Sequence, residues 1–171
     1  GVATAAGLCF ASVGTDTGGS IRYPSAANGC VGLKPTYGRV SRYGVFALAP
    51  SMDHVGPMTR TVEDAAILFE AMAGADPHDL TSLPDPVPTV RAELARGIAG
   101  LRIGFDRRYA TDDVDADVAA AMDEVLVTLT RLGAKVVAVT MPDVSQAGGA
   151  WLDMCYVEAL AVHASTFPSR A

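Results

Sequence analysis

Residues 14–24 read Gly-Thr-Asp-Thr-Gly-Gly-Ser-Ile-Arg-Tyr-Pro, a glycine-rich stretch with a single serine, Ser20. Two adjacent glycines precede Ser20, and glycine allows sharp turns that a Cβ atom would forbid. Such a turn can present several backbone N–H groups beside an exposed hydroxyl. A serine nucleophile needs both features, because attack on a carbonyl leaves a negative oxygen that donors must hold. The residues alone leave an ordinary turn serine as the alternative, since glycine and serine are common in turns.

The composition predicts a globular α/β protein in the cytoplasm. The chain has 171 residues, of which 50% are hydrophobic and 19% charged, and this excludes intrinsic disorder. The formal net charge of −6 gives no electrostatic reason to bind nucleic acid or an anionic membrane. No apolar run approaches the roughly 18 residues of a membrane span, and no signal pattern opens the chain. The three cysteines lack the paired spacing of a metal site and predict reduced, buried thiols at Cys9, Cys30 and Cys155.

The apolar pattern predicts alternating helices and strands. The Ser20 loop follows a strand end, where α/β folds often place their chemistry. A strand, a helix with one apolar stripe and a second strand predict a parallel strand pair further along the chain. Residues 26–55 are dense in turn dipeptides and predict an ordered irregular segment. The expected elements are a helix ended by Gly7, a buried strand at Leu8–Val13, a helix from Thr61 to Gly74, a surface connection at 76–91, strands at 101–106 and 135–141, a helix from Asp115 to Gly133 and a helix at 147–167.

Three blocks of sequence together resemble the amidase signature family. They are residues 14–25, residues 29–45 (Gly-Cys-Val-Gly-Leu-Lys-Pro-Thr-Tyr-Gly-Arg-Val-Ser-Arg-Tyr-Gly-Val) and residues 53–66 (Asp-His-Val-Gly-Pro-Met-Thr-Arg-Thr-Val-Glu-Asp-Ala-Ala). The resemblance is dense from Gly1 to about Ser82 and looser beyond. It implies an α/β fold with a mixed β-sheet between helical layers. Residues 1–171 are then expected to be a partial domain that lacks its N-terminal and C-terminal parts, which agrees with a chain that opens inside a helix without an N-cap.

The resemblance implies that Ser20 is the nucleophile of a serine acyl-enzyme mechanism. It also implies that backbone N–H groups of Thr17, Gly18, Gly19 and Ser20 hold the oxyanion. The family's base is a lysine that acts through a second serine held by a cis peptide bond, and both are expected upstream of residue 1. The resemblance therefore implies activity for the full-length protein rather than for these 171 residues alone.

Asp16 and Arg22 stand on either side of the glycines and Ser20. They predict an ion pair that supports the loop and keeps its donors in place, with two unrelated solvated charges as the alternative. Neither is expected to act as acid or base, because arginine stays protonated.

Other residues that could suggest chemistry favour structural roles. The loop lacks the Lys-Ser/Thr that follows a phosphate-binding P-loop. Lys34 belongs to a block that the family carries in addition to its catalytic lysine, which favours a structural ion pair or a surface position, and Lys135 is expected to be solvated. No spacing supports a catalytic triad through any of the three histidines, which are His54, His78 and His163. Four carboxylates crowd a helix start, where the helix dipole favours them without a metal, namely Asp112, Asp113, Asp115 and Asp117.

The resemblance to the amidase signature family implies hydrolysis of a carboxylic amide, giving an acid and ammonia or an amine. We expect a small-molecule amide substrate, no metal or organic cofactor, and no nucleic acid or membrane partner, and a homodimer is compatible with this function. Residues 47–58 look like a stand-alone amidase, which we favour. Residues 36–44 look like the A subunit of glutamyl/aspartyl-tRNA amidotransferase, which would release ammonia from glutamine and bind its partner subunits. From another class, the alternative is a non-catalytic remnant or interaction domain.

Overall fold

The structure is a computed structural model that describes residues 1–168. In chain order its elements are α1 (Val2–Ala5), β1 (Ala11–Asp16), α2 (Arg22–Ala27), β2 (Val31–Gly32), β3 (His54–Thr59), α3 (Val62–Met72), α4 (Val90–Leu94), β4 (Arg102–Phe105), α5 (Arg107–Thr111), α6 (Ala116–Arg131), β5 (Lys135–Ala138) and α7 (Ala147–His163). None of the helices in this range is long and apolar enough to cross a membrane. Unit 1 comprises Gly1–Ala92 and the residues from Gln146 onward, and unit 2 comprises Glu93–Ser145. The expectation of one partial domain stays a prediction, since two compact units can belong to one domain.

Unit 1 is built on an antiparallel sheet with the strand order β1-β3-β2. The central strand β3 pairs with β1 along its whole length, and Asp16 at the end of β1 lies opposite His54. β2 pairs with only two residues of β3. Val40, Val55 and Phe69 form the buried apolar cluster beside this sheet. The sheet and its core thus fix the end of β1, from which the Ser20 loop leaves.

The turn-rich pattern of residues 26–55 gives no sign of the central strand β3, which begins at the end of this segment. Pro57 lies within β3, although proline lacks the N–H group that a central strand normally uses. In an extended strand the N and the carbonyl of one residue point to the same edge, and the Pro57 carbonyl accepts from the Leu33 N–H at 3.0 Å. The missing N–H therefore faces the β2 side, where β2 has ended at Gly32. Pro57 is fully buried and costs the β1–β3 ladder no hydrogen bond.

The buried strand expected at Leu8–Val13 is shifted and more exposed than predicted. β1 starts at Ala11, because Gly7 with a φ of +70° ends α1 and residues 8–10 bend before the pairing with β3 begins. The exposed fractions of Leu8 and Phe10 are 80% and 90%. The prediction of burial for these residues is wrong. The helix expected at 147–167 likewise ends earlier, at His163.

The helix expected from Thr61 is confirmed. The Thr61 side chain accepts a hydrogen bond from the Asp64 N–H at 3.0 Å and so caps α3 at its N-terminus. Phe69 on this helix belongs to the core cluster, so the capped helix packs against the sheet.

Unit 2 contains the predicted strand–helix–strand motif. β4 and β5 pair in parallel over four residues, and α6 lies between them in sequence. Gly133, at a φ of +92°, turns the chain from α6 into β5. Asp106 follows β4 and accepts hydrogen bonds from the N–H groups of Tyr109 at 3.2 Å and Met141 at 2.7 Å. These bonds hold the pKa of Asp106 below its ordinary value, with the Met141 N–H as the largest cause.

Candidate active site

Ser20 lies on an exposed turn between β1 and α2. Gly19 adopts a φ of +149°, a region that glycine occupies far more easily than other residues. Among residues 1–168 the Ser20 hydroxyl has no hydrogen-bond partner, so it is free to meet a ligand. The turn therefore places a serine hydroxyl at the surface, at the end of a strand that is fixed by the core.

Three backbone N–H groups of the Ser20 loop are unused among residues 1–168. In the described part of the chain, the N–H groups of Gly18, Gly19 and Ser20 have no acceptor. The Gly19 carbonyl, by contrast, accepts from the Tyr23 N–H at 2.7 Å. Unused N–H groups beside a free hydroxyl are the arrangement that an oxyanion requires.

Asp16 and Arg22, which the sequence predicts as a pair, are in direct contact. The Arg22 guanidinium donates to the buried Asp16 carboxylate from Nε at 3.0 Å and from Nη2 at 2.9 Å. The same carboxylate accepts from the backbone N–H groups of Ile21 at 3.2 Å and Arg22 at 3.3 Å. Burial alone would raise the pKa of Asp16, but these hydrogen bonds hold it below its ordinary value. The pair thus ties the last residue of β1 to the first turn of α2 across the Ser20 loop.

Thr17, the first residue of the loop, is held by Asp53, a residue that the sequence does not single out. The Thr17 hydroxyl donates to Asp53 Oδ1 in a short hydrogen bond. Asp53 is buried and also accepts from the N–H groups of Leu48 at 2.9 Å and Ala49 at 3.1 Å. The start of the 53–66 block is the only sequence signal that could have drawn attention to it.

Helix α7 contacts the same loop through Trp151, a residue that no sequence motif singles out. Its indole Nε1 donates to the Thr17 carbonyl oxygen at 3.1 Å. Its ring lies against Gly18, where a Cβ atom would not fit. Further along α7, Glu158 accepts hydrogen bonds from the N–H group and the hydroxyl of Ser51. Trp151 is the single tryptophan of the chain, and this rarity was the only available hint.

The three histidines and Lys34 contact groups other than Ser20. His54 Nδ1 faces the carbonyl oxygens of Met52 at 2.6 Å and Asp16 at 3.2 Å, so this nitrogen carries a proton and donates. Lys34 is half-buried and donates to the Pro35 carbonyl at 2.9 Å, and within residues 1–168 it has no ion-pair partner. The other two histidines contact aromatic rings, His78 that of Tyr43 and His163 that of Phe46.

All three cysteines are free, as predicted, but Cys155 alone is buried. Burial raises the pKa of its thiol. Cys9 and Cys30 are half-buried because they lie in a bend and after a glycine turn, which corrects the expectation of burial. No group of three His, Cys, Asp or Glu side chains that could hold a metal ion occurs in residues 1–168.

A cleft of 330 Å³ opens elsewhere in unit 1. It is lined mainly by residues 42–55 and 78–80, and Thr15 and Asp53 form part of its wall. Ser20 does not line this cleft. Asp53 in the cleft wall contacts Thr17 of the loop, and the candidate site consists of the loop and the residues that hold it.

Comparison with known proteins identifies the family. A model of the Amidase family matches residues 1–169. The chain belongs to the amidase signature family. The partial α/β fold of this family, as predicted from the sequence, is confirmed by a TM-score of 0.88 against the A subunit of the glutamyl-tRNA(Gln) amidotransferase of Thermotoga maritima, at 40% identity over 93% of this chain and 35% of that chain.

Two further amidase signature relatives show how much of a whole protein the chain represents. The A subunit of the glutamyl-tRNA(Gln) amidotransferase of Trichlorobacter lovleyi is 54% identical over 145 residues, which cover 85% of this chain and 30% of that protein. The native peptide amidase of Stenotrophomonas maltophilia has a TM-score of 0.83 and 35% identity over 98% of this chain and 35% of that chain. The chain therefore spans about a third of the length of these relatives.

Proposed function

We propose that Ser20 is the nucleophile of an amide-hydrolysing centre in the whole protein. The observation that carries this proposal is the free Ser20 hydroxyl beside the N–H groups of Gly18, Gly19 and Ser20, which have no acceptor within residues 1–168. In this mechanism the Ser20 Oγ attacks the amide carbonyl carbon and its proton passes to a base. The C–N bond then breaks, the nitrogen leaves with that proton as ammonia or an amine, and water releases the acid from the acyl-enzyme.

The oxyanion of the tetrahedral intermediate would be held by the three free donors. Fixed N–H groups in such a position contribute about 3 kcal/mol each to the stabilisation of the transition state. Asp16 and Arg22 would act through the shape of the loop, because their hydrogen bonds join its two ends. The Thr17 backbone N–H would be a fourth donor, as the family resemblance implies, while the Thr17 hydroxyl anchors the loop through Asp53.

The base belongs to the part of the proposal that rests on the family resemblance. A neutral lysine, acting through a second serine, would take the Ser20 proton. Both are expected before Gly1, and residues 1–168 place no histidine in hydrogen-bond contact with Ser20. The activity proposed is accordingly that of the whole protein, of which residues 1–171 are proposed to form a partial catalytic domain.

We further propose glutamine as the substrate and the A subunit of a glutamyl-tRNA amidotransferase as the physiological role. Curated relatives that carry the name of this subunit are 49–54% identical to the chain. They support this role better than the stand-alone amidase that residues 47–58 favour, because that block is short while the relatives match 82–93% of the chain. The partner subunits and a cytoplasmic location are part of the same proposal.

A stand-alone amidase is the second candidate. It is supported by the similarity to the peptide amidase fold over 98% of the chain. The two candidates differ in substrate and in dependence on partners, so one set of assays separates them.

The test uses the full-length protein, with and without the amidotransferase partner subunits. Ammonia release is measured from glutamine and from a panel of simple and peptide amides, and a fluorophosphonate probe is used to label the nucleophile. We expect labelling and turnover to be lost in Ser20→Ala and kept in the matched variant Ser145→Ala, whose hydroxyl lies in unit 2. Glutamine turnover that rises with the partners supports the amidotransferase, and turnover of other amides without partners supports the stand-alone amidase. Turnover that persists in Ser20→Ala refutes the proposal.

A further inference from the structure

The Thr17–Gly18 peptide unit links helix α7 to the candidate oxyanion site. A peptide bond is planar and trans, so its carbonyl oxygen and the following N–H point in opposite directions. Trp151 Nε1 donates to the Thr17 carbonyl oxygen at 3.1 Å. Fixing this oxygen therefore fixes the direction of the Gly18 N–H, one of the free donors beside Ser20.

The Ser20 N–H, the last of the three free donors, is fixed in the same way. The Gly19 carbonyl accepts from the Tyr23 N–H at 2.7 Å, and this sets the plane of the peptide that carries the Ser20 N–H. The first of these two bonds comes from a side chain 134 residues away in sequence, and the second comes from the adjacent helix α2. Of the two hydrogen bonds that fix these peptide planes, the one from Trp151 joins residues far apart in sequence.

The Trp151 ring adds a steric restraint on the same peptide. It lies against Gly18 so closely that a Cβ atom at this position would overlap with it. Thr17 is also held through its side chain, because its hydroxyl donates to Asp53. Helix α7 makes a second contact with the segment that carries Asp53, where Glu158 accepts from the Ser51 N–H at 2.9 Å.

We propose that Trp151 is a positioning residue, whose indole N–H orients the Gly18 N–H toward the oxyanion. The proposal rests on the proposed role of Ser20. Trp151 touches no reacting atom and acts through the Thr17–Gly18 peptide. Its removal is expected to affect the transition state, which carries the negative oxygen, more than the bound substrate, whose carbonyl is nearly neutral.

The test compares two changes at position 151 in the full-length protein. Trp151→Phe keeps an aromatic ring and removes the indole N–H. Incorporation of 3-benzothienylalanine at position 151 keeps the size of the ring system and replaces the N–H by sulfur, so it remains informative if the phenylalanine variant folds poorly. Tyr156→Phe, on an exposed residue of the same helix, is the matched control.

We expect both changes at position 151 to lower kcat about tenfold, with KM within twofold of wild type and an unchanged pH profile. A tenfold loss is smaller than the 10²–10³-fold loss that follows the removal of a whole oxyanion donor, because the Gly18 N–H is still present and only less well oriented. The rate of fluorophosphonate labelling of Ser20 is expected to fall in parallel, and Tyr156→Phe is expected to leave all of these values unchanged.

The inference is overturned if the benzothienyl protein has a kcat within twofold of wild type, or if KM rises while kcat is unchanged. Its failure is distinct from that of the proposed function. Normal kcat in both position 151 proteins, with Ser20→Ala inactive, removes only the role of Trp151, whereas an active Ser20→Ala protein removes the proposed function and this inference with it.

Discussion

Replacement of Asp16 by asparagine removes the charge at the centre of the loop support and keeps the size of the side chain. Asp16 Oδ2 accepts from the Ile21 N–H, the Arg22 N–H and Arg22 Nε, and Oδ1 accepts from Arg22 Nη2. An asparagine can place its oxygen at the Oδ2 position, but its NH₂ group then faces the donor Nη2. One hydrogen bond is lost and three become weaker, because bonds to a neutral acceptor are about half as strong as bonds to a charged one.

The expected cost follows from these contacts. Hydrogen bonds to charged groups are worth about 1.5–3 kcal/mol. The Arg22 side chain is 53% exposed and can turn its freed N–H groups to water. Loss of the ion pair therefore adds little to the free-energy cost of the substitution. We therefore expect Asp16→Asn to lower the free energy of unfolding by about 2 kcal/mol, which is roughly a 30-fold change in the unfolding equilibrium. Asp16→Ala is expected to cost more than Asp16→Asn, since it also leaves the buried Ile21 N–H without an acceptor, which by itself costs about 1–3 kcal/mol.

The measurement is urea denaturation of the full-length protein, combined with the rate at which a fluorophosphonate labels Ser20. Asp85→Asn, at an exposed side chain, is the matched control and is expected to change stability by less than about 0.5 kcal/mol. The labelling rate is expected to fall in the order wild type, Asp16→Asn, Asp16→Ala. Equal stability and equal labelling of Asp16→Asn and Asp85→Asn would refute the assignment of Asp16 as a support of the loop.

Three further outcomes are expected. Hydrogen bonds hold the folded-state pKa of Asp16 below its ordinary value of about 4. The stability that ionised Asp16 contributes is therefore complete above about pH 4 and is lost as the pH falls through the lower, folded-state pKa. In denaturation experiments at a series of pH values, the stability difference between wild type and Asp16→Asn should shrink below about pH 4. Gly18→Ala should cost about 1–3 kcal/mol by overlap with the Trp151 ring, and a double-mutant cycle with Trp151→Ala should show part of this loss recovered, whereas strictly additive costs would argue against the contact. Thr61→Ala should cost about 1 kcal/mol through loss of the cap on the Asp64 N–H, while Thr61→Ser should stay close to wild type in the same thermal unfolding experiment.

Much of the fold follows from local signals in the sequence. The Thr61 cap, the glycine after α6 and the apolar stripes are determined within a few residues, and the structure has the corresponding helices and the parallel pair β4–β5. The strand β3 does not follow from such signals, because Pro57 argues against a central strand. Its burial depends on where β2 ends, which is a property of the assembled sheet.

The candidate site divides in the same way. The Ser20 turn and the Asp16–Arg22 pair lie within seven residues and can be predicted from their order along the chain. Asp53 and Trp151 reach Thr17 from 36 and 134 residues away, and no spacing rule brings them to the loop. These contacts with Thr17 are visible only after folding.

In the proposed mechanism the Ser20 Oγ carries a covalent acyl group during turnover, and this intermediate can be trapped. The full-length protein is mixed with an amide substrate, quenched in acid within the first turnover and digested for mass spectrometry. We expect the mass of the acyl group on the peptide that contains Ser20, and no adduct in Ser20→Ala. An acyl group on another residue, or amide turnover at the wild-type rate in Ser20→Ala, would contradict this mechanism.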